Sequence, residues 1–437
     1  MQPVNIGLLG LGTVGAGVVD LLSRNRSEIT RRAGRDIRVT RAAVRNPDSP
    51  RDCDTTGIDI GTDCHAIVND PDIDVVLELI GGEHEARDLV MAAIDSGKHV
   101  VTANKHLIAL HGNEIFAAAD AAGVVVSFEA AVAGGIPIIK AIRESLAANH
   151  IEWVAGIING TGNFILSQMM FEGVSFEEAL ADAQRRGFAE ADPTFDVEGI
   201  DAAHKLAIIG SIAFGIPLSF DRIYTQGIRG IASDDIEYAA ELGYRIKHLG
   251  IARRQETGVE LRVHPTLVSE KALLASVEGE KNAIMVYGDA VGPTVYYGSG
   301  AGAGPTASSV VADLIDTVRM MSVDPKGRVP HLAFQPDQIT HEPILTEPDF
   351  ECGHYFRVQV ADQIGVMAEI TRALAEQQIG IEAILQKDPP TAEDDARVMI
   401  VTKPARERRL MKVLDHIRSL PYTREGLVHM RVAQFED

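Results

Sequence analysis

Gly10-Leu11-Gly12-Thr13-Val14-Gly15 follows a short apolar run, Val4 to Leu9, and opens a stretch with helical spacing. Glycines in this pattern permit a tight turn and let the backbone approach a diphosphate, whose charge a helix N-terminus stabilises. The motif alone is weak. Its place, after a strand and before a helix, makes Gly10, Gly12, Thr13, Val14 and Gly15 a dinucleotide-binding loop. Working outward, Ile37 to Val44, Val75 to Ile80, His99 to Thr102 and Val124 to Phe128 are short, β-branched and almost continuously apolar. Strands covered on both faces by helices read this way. Between them, Glu85 to Ser96 and Ile108 to Ala122 have helical spacing and stop at Gly97 and Gly123.

The alternation predicts an α/β fold with a Rossmann-like, doubly wound nucleotide-binding domain over residues 1–130. In such domains an acid at the end of the second strand grips the ribose 2′-hydroxyl of NAD. Here the strand ends Ala43-Val44-Arg45-Asn46, and a guanidinium suits a 2′-phosphate, so the cofactor is NADP or NAD with NADP favoured through Arg45. A solvated loop arginine is the plainer alternative.

The 437 residues are enough for about three domains. Apolar residues at 46% and charged residues at 24% exclude large-scale disorder. With 41 Lys plus Arg against 62 Asp plus Glu, the net charge of −21 argues against nucleic acid and anionic membranes as partners. Cys53, Cys64 and Cys352 are too few and scattered for a disulfide framework, and a cytoplasmic location fits. Val4 to Val19 lacks a basic leader and carries five glycines, so it does not read as a signal peptide. The apolar run Leu206 to Leu218 is shorter than the ~20 residues of a membrane span.

Beyond residue 130 the rhythm changes to longer helical pieces, Phe176 to Arg186 and Gly199 to Phe214, with strands Ile151 to Ile158, Ile246 to Arg253 and Glu260 to His264. We read 131–299 as an α+β second domain. A Gly-rich stretch from Gly298 opens a helix from Ala307 to about Met321, so that 300–321 returns to the first domain. Residues 322–349 are proline-rich and aperiodic, a linker. In 350–437, strand-like His354 to Val360, helical Val366 to Gln377, strand-like Ile379 to Leu385 and Ala396 to Thr402, helical Glu407 to Ser419 and strand-like Leu427 to Val432 give βαββαβ, a ferredoxin-like module.

The segment Gly187-Phe188-Ala189-Glu190-Ala191-Asp192-Pro193-Thr194-Phe195-Asp196-Val197-Glu198-Gly199-Ile200-Asp201-Ala202-Ala203-His204-Lys205 packs five carboxylates and a lysine beside an apolar run. A helix from Gly199 sets Asp201 and Lys205 four apart on one face. By itself this could be a surface ion pair. Together with Val101-Thr102-Ala103-Asn104-Lys105, Asn159-Gly160-Thr161-Gly162-Asn163-Phe164-Ile165-Leu166 and Gly300 to Ser308, however, it resembles homoserine dehydrogenase along the whole chain. The C-terminal module, with Asp362-Gln363-Ile364-Gly365-Val366 after its first strand, resembles an ACT domain. Many relatives carry a second threonine where Gly162 stands, which leaves the contacts there open.

The resemblance implies reversible NAD(P)-dependent interconversion of L-homoserine and L-aspartate 4-semialdehyde, with substrate binding, catalysis and dimerisation as the roles of 131–299. Lys205 would exchange a proton with the substrate hydroxyl, as an amine can near neutral pH when burial and positive neighbours lower its pKa. Glu190, Asp196 and Asp201 would bind the substrate ammonium. Lys105, at a strand end, would orient the reacting oxygen and touch the cofactor, with Gly187 and Gly302 among the cofactor-binding residues. A lysine opening a helix opposes the dipole unless a ligand or anion is present.

The resemblance also implies a monovalent cation, Na⁺ or K⁺, held by Glu129 and the carbonyls of Val132, Gly134 and Ile136. From sequence alone, a domain-joining turn with Glu129 as a helix-cap acid is the preferred reading. ACT modules pair edge to edge and bind amino acids near the first turn, so Asp362, Gly365 and Val366 are expected to hold threonine as effector, and the chain to form a homodimer or homotetramer. A module that only oligomerises is the alternative. Two competing classes are an aldehyde dehydrogenase, which needs a well-placed nucleophilic cysteine, and a non-enzymatic nucleotide and amino-acid sensor, which has no use for Lys205 among carboxylates.

Overall fold

β1 (Val4–Leu9) is buried at all but one residue, and strands on either side of it pair in parallel. In the computed structural model, which describes residues 2–387, 395–433 and 435, β1 is a central strand of a six-stranded sheet. The others are β2 (Ile37–Ala43), β3 (Asp59–Gly61), β4 (Val75–Glu78), β5 (His99–Thr102) and β6 (Val126–Ser127), in the order 3-2-1-4-5-6. All five ladders are parallel. This is the order of a Rossmann fold, whose ligand crevice lies beyond the strand ends where the order reverses, between β1 and β4.

Two compact units divide the chain. The first joins Met1–Val154, Asp201–Ile223 and Lys281–Glu342, and the second joins Ala155–Ile200, Tyr224–Glu280 and Pro343–Asp437. In the first, α1 (Thr13–Arg24), α2 (Arg26–Ala33), α3 (Cys64–Val68), α4 (His84–Asp95) and α5 (Lys105–Ala122) cover the sheet. The helix Ala303–Met320 packs Val310, Val311, Leu314 and Val318 into the same core as Val4, Ile6 and Leu8. The helix Ile200–Phe214 is buried from Asp201 to Phe214, so it groups with this unit. The unit boundaries therefore fall elsewhere than the sequence division.

Three local departures bear on the site. β4 stops at Glu78 rather than running to Ile80, because the Glu78 carboxylate accepts the N–H groups of Ile80 and Gly81, both at 3.0 Å. α5 begins at Lys105, three residues before the periodic signal, because the Asn104 side chain caps it by accepting the Leu107 N–H at 3.1 Å. The Gly-rich stretch enters its helix at Ala303, four residues early: Pro305 lies in the first turn, where a missing N–H costs nothing.

In the second unit, strands Tyr244–Gln255 and Gly258–Ser269 form a long antiparallel hairpin. The C-terminal module runs Glu351–Val360, Val366–Glu376, Ile381–Lys387, Ala396–Thr402, Glu407–Ser419 and Val428–Ala433, a βαββαβ order. Its last strand pairs antiparallel with its first and parallel with Gly258–Ser269, so the module's sheet continues into that hairpin. The sheet of this unit is mixed. No helix among the described residues is long and apolar enough to cross a membrane.

Candidate active site

At the β1–α1 turn, Gly10 has φ +96°, and a Cβ there would meet the Leu79 carbonyl oxygen at 2.7 Å. A Cβ on Gly15 would meet the Gly10 oxygen at 2.4 Å. Only glycine lets the turn close this tightly. Gly12 faces open space, with no heavy atom within 4 Å of where its Cβ would stand. A cleft of about 560 Å³ opens here, lined by Gly10, Gly12, Arg45, Arg51, Cys64 and Glu85. Arg45 is exposed at its edge. Arg51, which the sequence did not single out, donates to the Leu11 oxygen at 3.1 Å and the Asn46 oxygen at 2.5 Å, tying the glycine turn to the end of β2. Thr13 lines an adjoining recess of about 350 Å³ together with Ala303 and Gly304, next to Gly302, which N-caps their helix. Val14 is half-buried against the core.

Lys105 stands where β5 leaves the sheet, on a turn built around a buried carboxylate. Thr102 Oγ1 donates to Glu78 Oε2 at 2.5 Å, the Asn104 N–H donates to Thr102 Oγ1 at 2.9 Å, and Asn104 Nδ2 donates to the Gly82 oxygen at 2.8 Å. Burial pushes the Glu78 carboxyl up, against the pull of these donors. The turn aims Lys105 at Asp201: Nζ lies 2.8 Å from Oδ1. One helical turn further along the helix Ile200–Phe214, Lys205 Nζ donates to Asp201 Oδ2 at 2.6 Å. A single carboxylate thus holds both lysines. Burial alone would raise the Asp201 carboxyl, but the charges of Lys205 and Lys105 override it and hold the group well below the usual range. Lys205 is buried, whereas the Lys105 side chain keeps 38% of its surface in contact with solvent.

The remaining acids of the signature belong to the second unit. Glu190 is exposed on the segment after helix Phe176–Arg185, its carbonyl accepting Gln184 Nε2 at 3.1 Å. Gly187, at φ +75°, starts that segment and is exposed. Asp196 is half-buried and accepts Asn159 Nδ2 at 2.7 Å. Asn159 Oδ1 caps the helix Gly160–Glu172 by accepting the Gly162 N–H at 2.7 Å. The Gly162 position therefore serves helix entry through its backbone.

Glu129 is 5% exposed, and its two oxygens accept the N–H groups of Ile139 and Lys140, each at 2.8 Å. That is the capping role. Its own N–H donates to the buried Asp313 carboxylate at 2.7 Å. Burial raises the Glu129 carboxyl; burial and then the Glu129 charge raise that of Asp313. The Gly134 oxygen accepts Ser309 Oγ at 2.7 Å and the Ile136 oxygen accepts the Ile138 N–H at 2.8 Å. Val132 closes the turn with an N–H to the Glu129 oxygen. Two buried acids on a turn rich in backbone carbonyls offer hard oxygen donors, the ligand type that a monovalent cation takes.

In the C-terminal module Asp362 is exposed, Gly365 has φ +100° and N-caps helix Val366–Glu376, and Ile364 between them is fully exposed. Val366 is 4% exposed and packs in the module core, so only its backbone borders the turn. Burial pushes the thiols of Cys53, Cys64 and Cys352 up, the reverse of what a nucleophilic thiolate requires.

The homoserine dehydrogenase family model matches residues 137–315, and the model described as homoserine dehydrogenase, NAD binding domain, matches 10–129. The homoserine dehydrogenase of Pseudomonas aeruginosa is 56% identical over 434 residues, covering 99% of this chain and 100% of its own. A crystal structure of a homoserine dehydrogenase from Thiobacillus denitrificans superposes with TM-score 0.94 at 56% identity, covering 99% of both chains. A hyperthermophilic archaeal homoserine dehydrogenase solved in complex with NADPH shares the fold at TM-score 0.61 and 24% identity, covering 72% of this chain and 98% of that one.

Proposed function

The chain belongs to the homoserine dehydrogenase family, and from that premise we propose how its residues divide the work of an NAD(P)-dependent oxidoreductase acting on the CH–OH group of homoserine. The observation that carries the assignment is the Asp201 carboxylate bonded to both Lys105 and Lys205 beyond the end of β5. Bound NAD(P) takes up or returns the hydride of the substrate carbon. Lys205 takes the hydroxyl proton as the carbonyl forms and gives it back in reduction. Lys105 hydrogen-bonds the same oxygen and stabilises the charge that develops on it. Asp201 fixes both Nζ atoms by hydrogen bonds; in the oxidation direction Lys205 accepts the proton as the neutral amine and becomes the ammonium that returns it in reduction, while Lys105 stays an ammonium facing the oxygen. For the substrate ammonium we carry forward Glu190 and Asp201, with Asp196 assisting through the hydrogen-bond network.

Absorbance at the NADPH band with L-homoserine tests this reading directly. Lys205→Met should lower turnover by ~10²-fold or more, as loss of a general acid/base does. Turnover retained in that variant would transfer the proton to Lys105. Glu190→Ala should chiefly raise the homoserine KM, and an unchanged value would remove it from the substrate.

The glycine turn, the open space at Gly12 and the cation at Arg45 support NADP as the preferred dinucleotide; Gly187 and Gly302 are carried forward as cofactor-binding residues on the family resemblance. The raised carboxyls of Glu129 and Asp313 support Na⁺ or K⁺ at Glu129, Val132, Gly134 and Ile136. Replacing both ions by tetramethylammonium should then lower the melting temperature. We carry the domain roles forward in the same sense: nucleotide binding for 1–130 with 300–321, substrate chemistry and dimerisation for 131–299, a linker at 322–349 and regulation for 350–437. Threonine is the proposed effector, at the turn of Asp362, Gly365 and Val366. A titration that neither inhibits nor shifts the melting temperature would leave the module a purely oligomerising one. A cytoplasmic homodimer or homotetramer, acting on small molecules alone, completes the reading; sedimentation velocity distinguishes the two assemblies.

A further inference from the structure

The two reacting lysines each have a histidine as chain neighbour, His106 after Lys105 and His204 before Lys205. The two rings meet, with centroids 4.7 Å apart and planes at 39°. His204 is 1% exposed and is held on its other side by Phe220, stacked at 4.2 Å and 16°. His106 reaches outward as well: its Nε2 lies 3.1 Å from Oε2 of Glu83, the residue that N-caps α4. Glu83 Oε1 takes His111 Nε2, also at 3.1 Å. A continuous line of contacts therefore runs from the start of α4, through the first turn of α5, to the helix that carries Asp201 and Lys205.

We propose that His106 is a positioning residue for the reaction, clamping the first turn of α5 between Glu83 and His204 so that Lys105 is held at the right distance from Asp201 and Lys205. The proposal deepens the lysine assignment above and rests on it. The Asn104 side chain caps α5 by accepting the Leu107 N–H and donates to the Gly82 oxygen, so the cap fixes where the helix starts without reaching the helix that carries Asp201 and Lys205. The His106 ring supplies that lateral contact. Flat rings suit the task because a stacked or tilted pair resists sliding while costing little side-chain entropy.

The charged groups around the clamp are consistent with a mechanical part. On the outer side, hydrogen bonds from His111 and then His106 hold the Glu83 carboxyl below its ordinary range. His84 Nδ1 stands 3.9 Å from Glu83, and Glu114 faces His111 and Arg87. On the inner side, burial and then the His106 charge push His204 down to about 4, so that ring is neutral near pH 7, beside Lys105, Lys205 and Asp201.

The test uses the full-length protein and two variants, His106→Ala and His106→Gln, with Glu83→Gln as a second route to the same loosening. Gln keeps a donor where Nε2 stands and a flat amide against His204. His106→Ala should lower kcat for homoserine oxidation by roughly 10- to 100-fold, the scale of a misplaced catalytic group, while the NADP KM stays within about twofold. His106→Gln should recover most of the loss. In protein with ¹³C-dimethylated lysines, assigned with a Lys105→Arg control, the Lys105 resonance should titrate about half a pH unit or more away from wild type in the Ala variant and return in the Gln variant. Glu83→Gln should move both readouts in the direction of the Ala variant by a smaller amount. Wild-type kcat in His106→Ala with an unmoved Lys105 resonance would overturn the proposal. So would a loss of kcat that tracks a rising NADP KM, which is the mark of a disturbed cofactor cleft. A wild-type protein inactive on homoserine would instead overturn the proposed function, and the Lys105 resonance would still decide the clamp.

Discussion

Replacing Asp201 by Asn changes one atom and removes the only negative charge among three bonded groups. Oδ1 takes Lys105 at 2.8 Å and Oδ2 takes Lys205 at 2.6 Å, while the side chains of Asp201, Lys205 and Lys105 keep 7%, 11% and 38% of their surface. An amide accepts from one lysine and turns its own N–H groups toward the other. Removing one partner of a buried ion pair costs about 3–5 kcal/mol. Because Lys105 still meets solvent, the low end, about 3 kcal/mol, applies. At about 2–4 °C per kcal/mol for units of 150–250 residues, the melting temperature should fall by roughly 6–12 °C. The sign with pH follows from the lowered carboxyl. Its stabilisation is complete above the unfolded value of 3.8 and is lost as pH falls through the lower folded one, so the deficit of the variant is full at pH 7 and shrinks only in strong acid. Catalysis should fall further than stability: with one of the two lysines no longer held, kcat/KM for homoserine drops by ~10²-fold or more. Scanning calorimetry and initial rates at the NADPH band measure both. A variant within about threefold of wild-type kcat/KM, with an unmoved melting temperature, would refute the bridging role of Asp201.

Arg45→Ala should raise the KM for NADP by about tenfold and leave that for NAD unchanged; parallel changes would return Arg45 to the solvated surface. Gly15→Ala sets a Cβ 2.4 Å from the Gly10 oxygen, so the turn must shift and both cofactor KM values should rise together, whereas wild-type values would show that the turn has slack. Burial holds His99, His204, His248 and His354 at about 4, below the unfolded 6.5. The unfolded chain takes up protons first, so each contributes stability that is lost as pH falls from 6.5 toward 4, about 2 kcal/mol per residue at pH 5. Glu78, Glu129, Asp313 and Glu407, whose carboxyls burial raises, act in the opposite direction and offset part of this. The melting temperature should fall between pH 7.5 and pH 5, and a constant or rising value would contradict the burial argument.

The parts of the fold readable in the sequence are those where periodicity and burial coincide. Val4 to Leu9 is almost wholly buried, and the two helices of the C-terminal module each turn one apolar face to its core and a polar face outward. The hairpin Lys281–Gly288 and Gly292–Ser299 escaped because its second strand, Gly-Pro-Thr-Val-Tyr-Tyr-Gly-Ser, is only half buried and carries turn-forming residues. The helix Gly160–Glu172 escaped because it opens Gly-Thr-Gly-Asn and depends on Asn159 for its cap. In the site, the Asp201–Lys205 spacing was legible because a helix fixes what four residues apart means. The Lys105–Asp201 bond was not: nothing local in a sequence ties residues on two separate elements, and it is the approach of the first turn of α5 to the start of the helix Ile200–Phe214 that joins them. The same holds for Arg51 and for the ring contact of His106 with His204.

The excess of acids then takes a more particular meaning. A net charge of −21 spread over a surface is screened beyond about 8 Å at physiological ionic strength, so it discourages polyanions at a distance but says little about contacts near 3 Å. There the local groups decide. At the cleft, Arg45 and Arg51 stand beside backbone N–H groups on a glycine turn with a single lining acid, Glu85. At the lysine pair one carboxylate faces two ammonium groups. Both are places where positive charge locally exceeds negative in an acidic chain. Both are also where the reaction needs it, one for a phosphorylated cofactor and one for an oxygen that gains charge as its proton leaves. Asp201 is the acid that makes the second arrangement sustainable, because it sets one negative charge within bonding distance of both Nζ atoms.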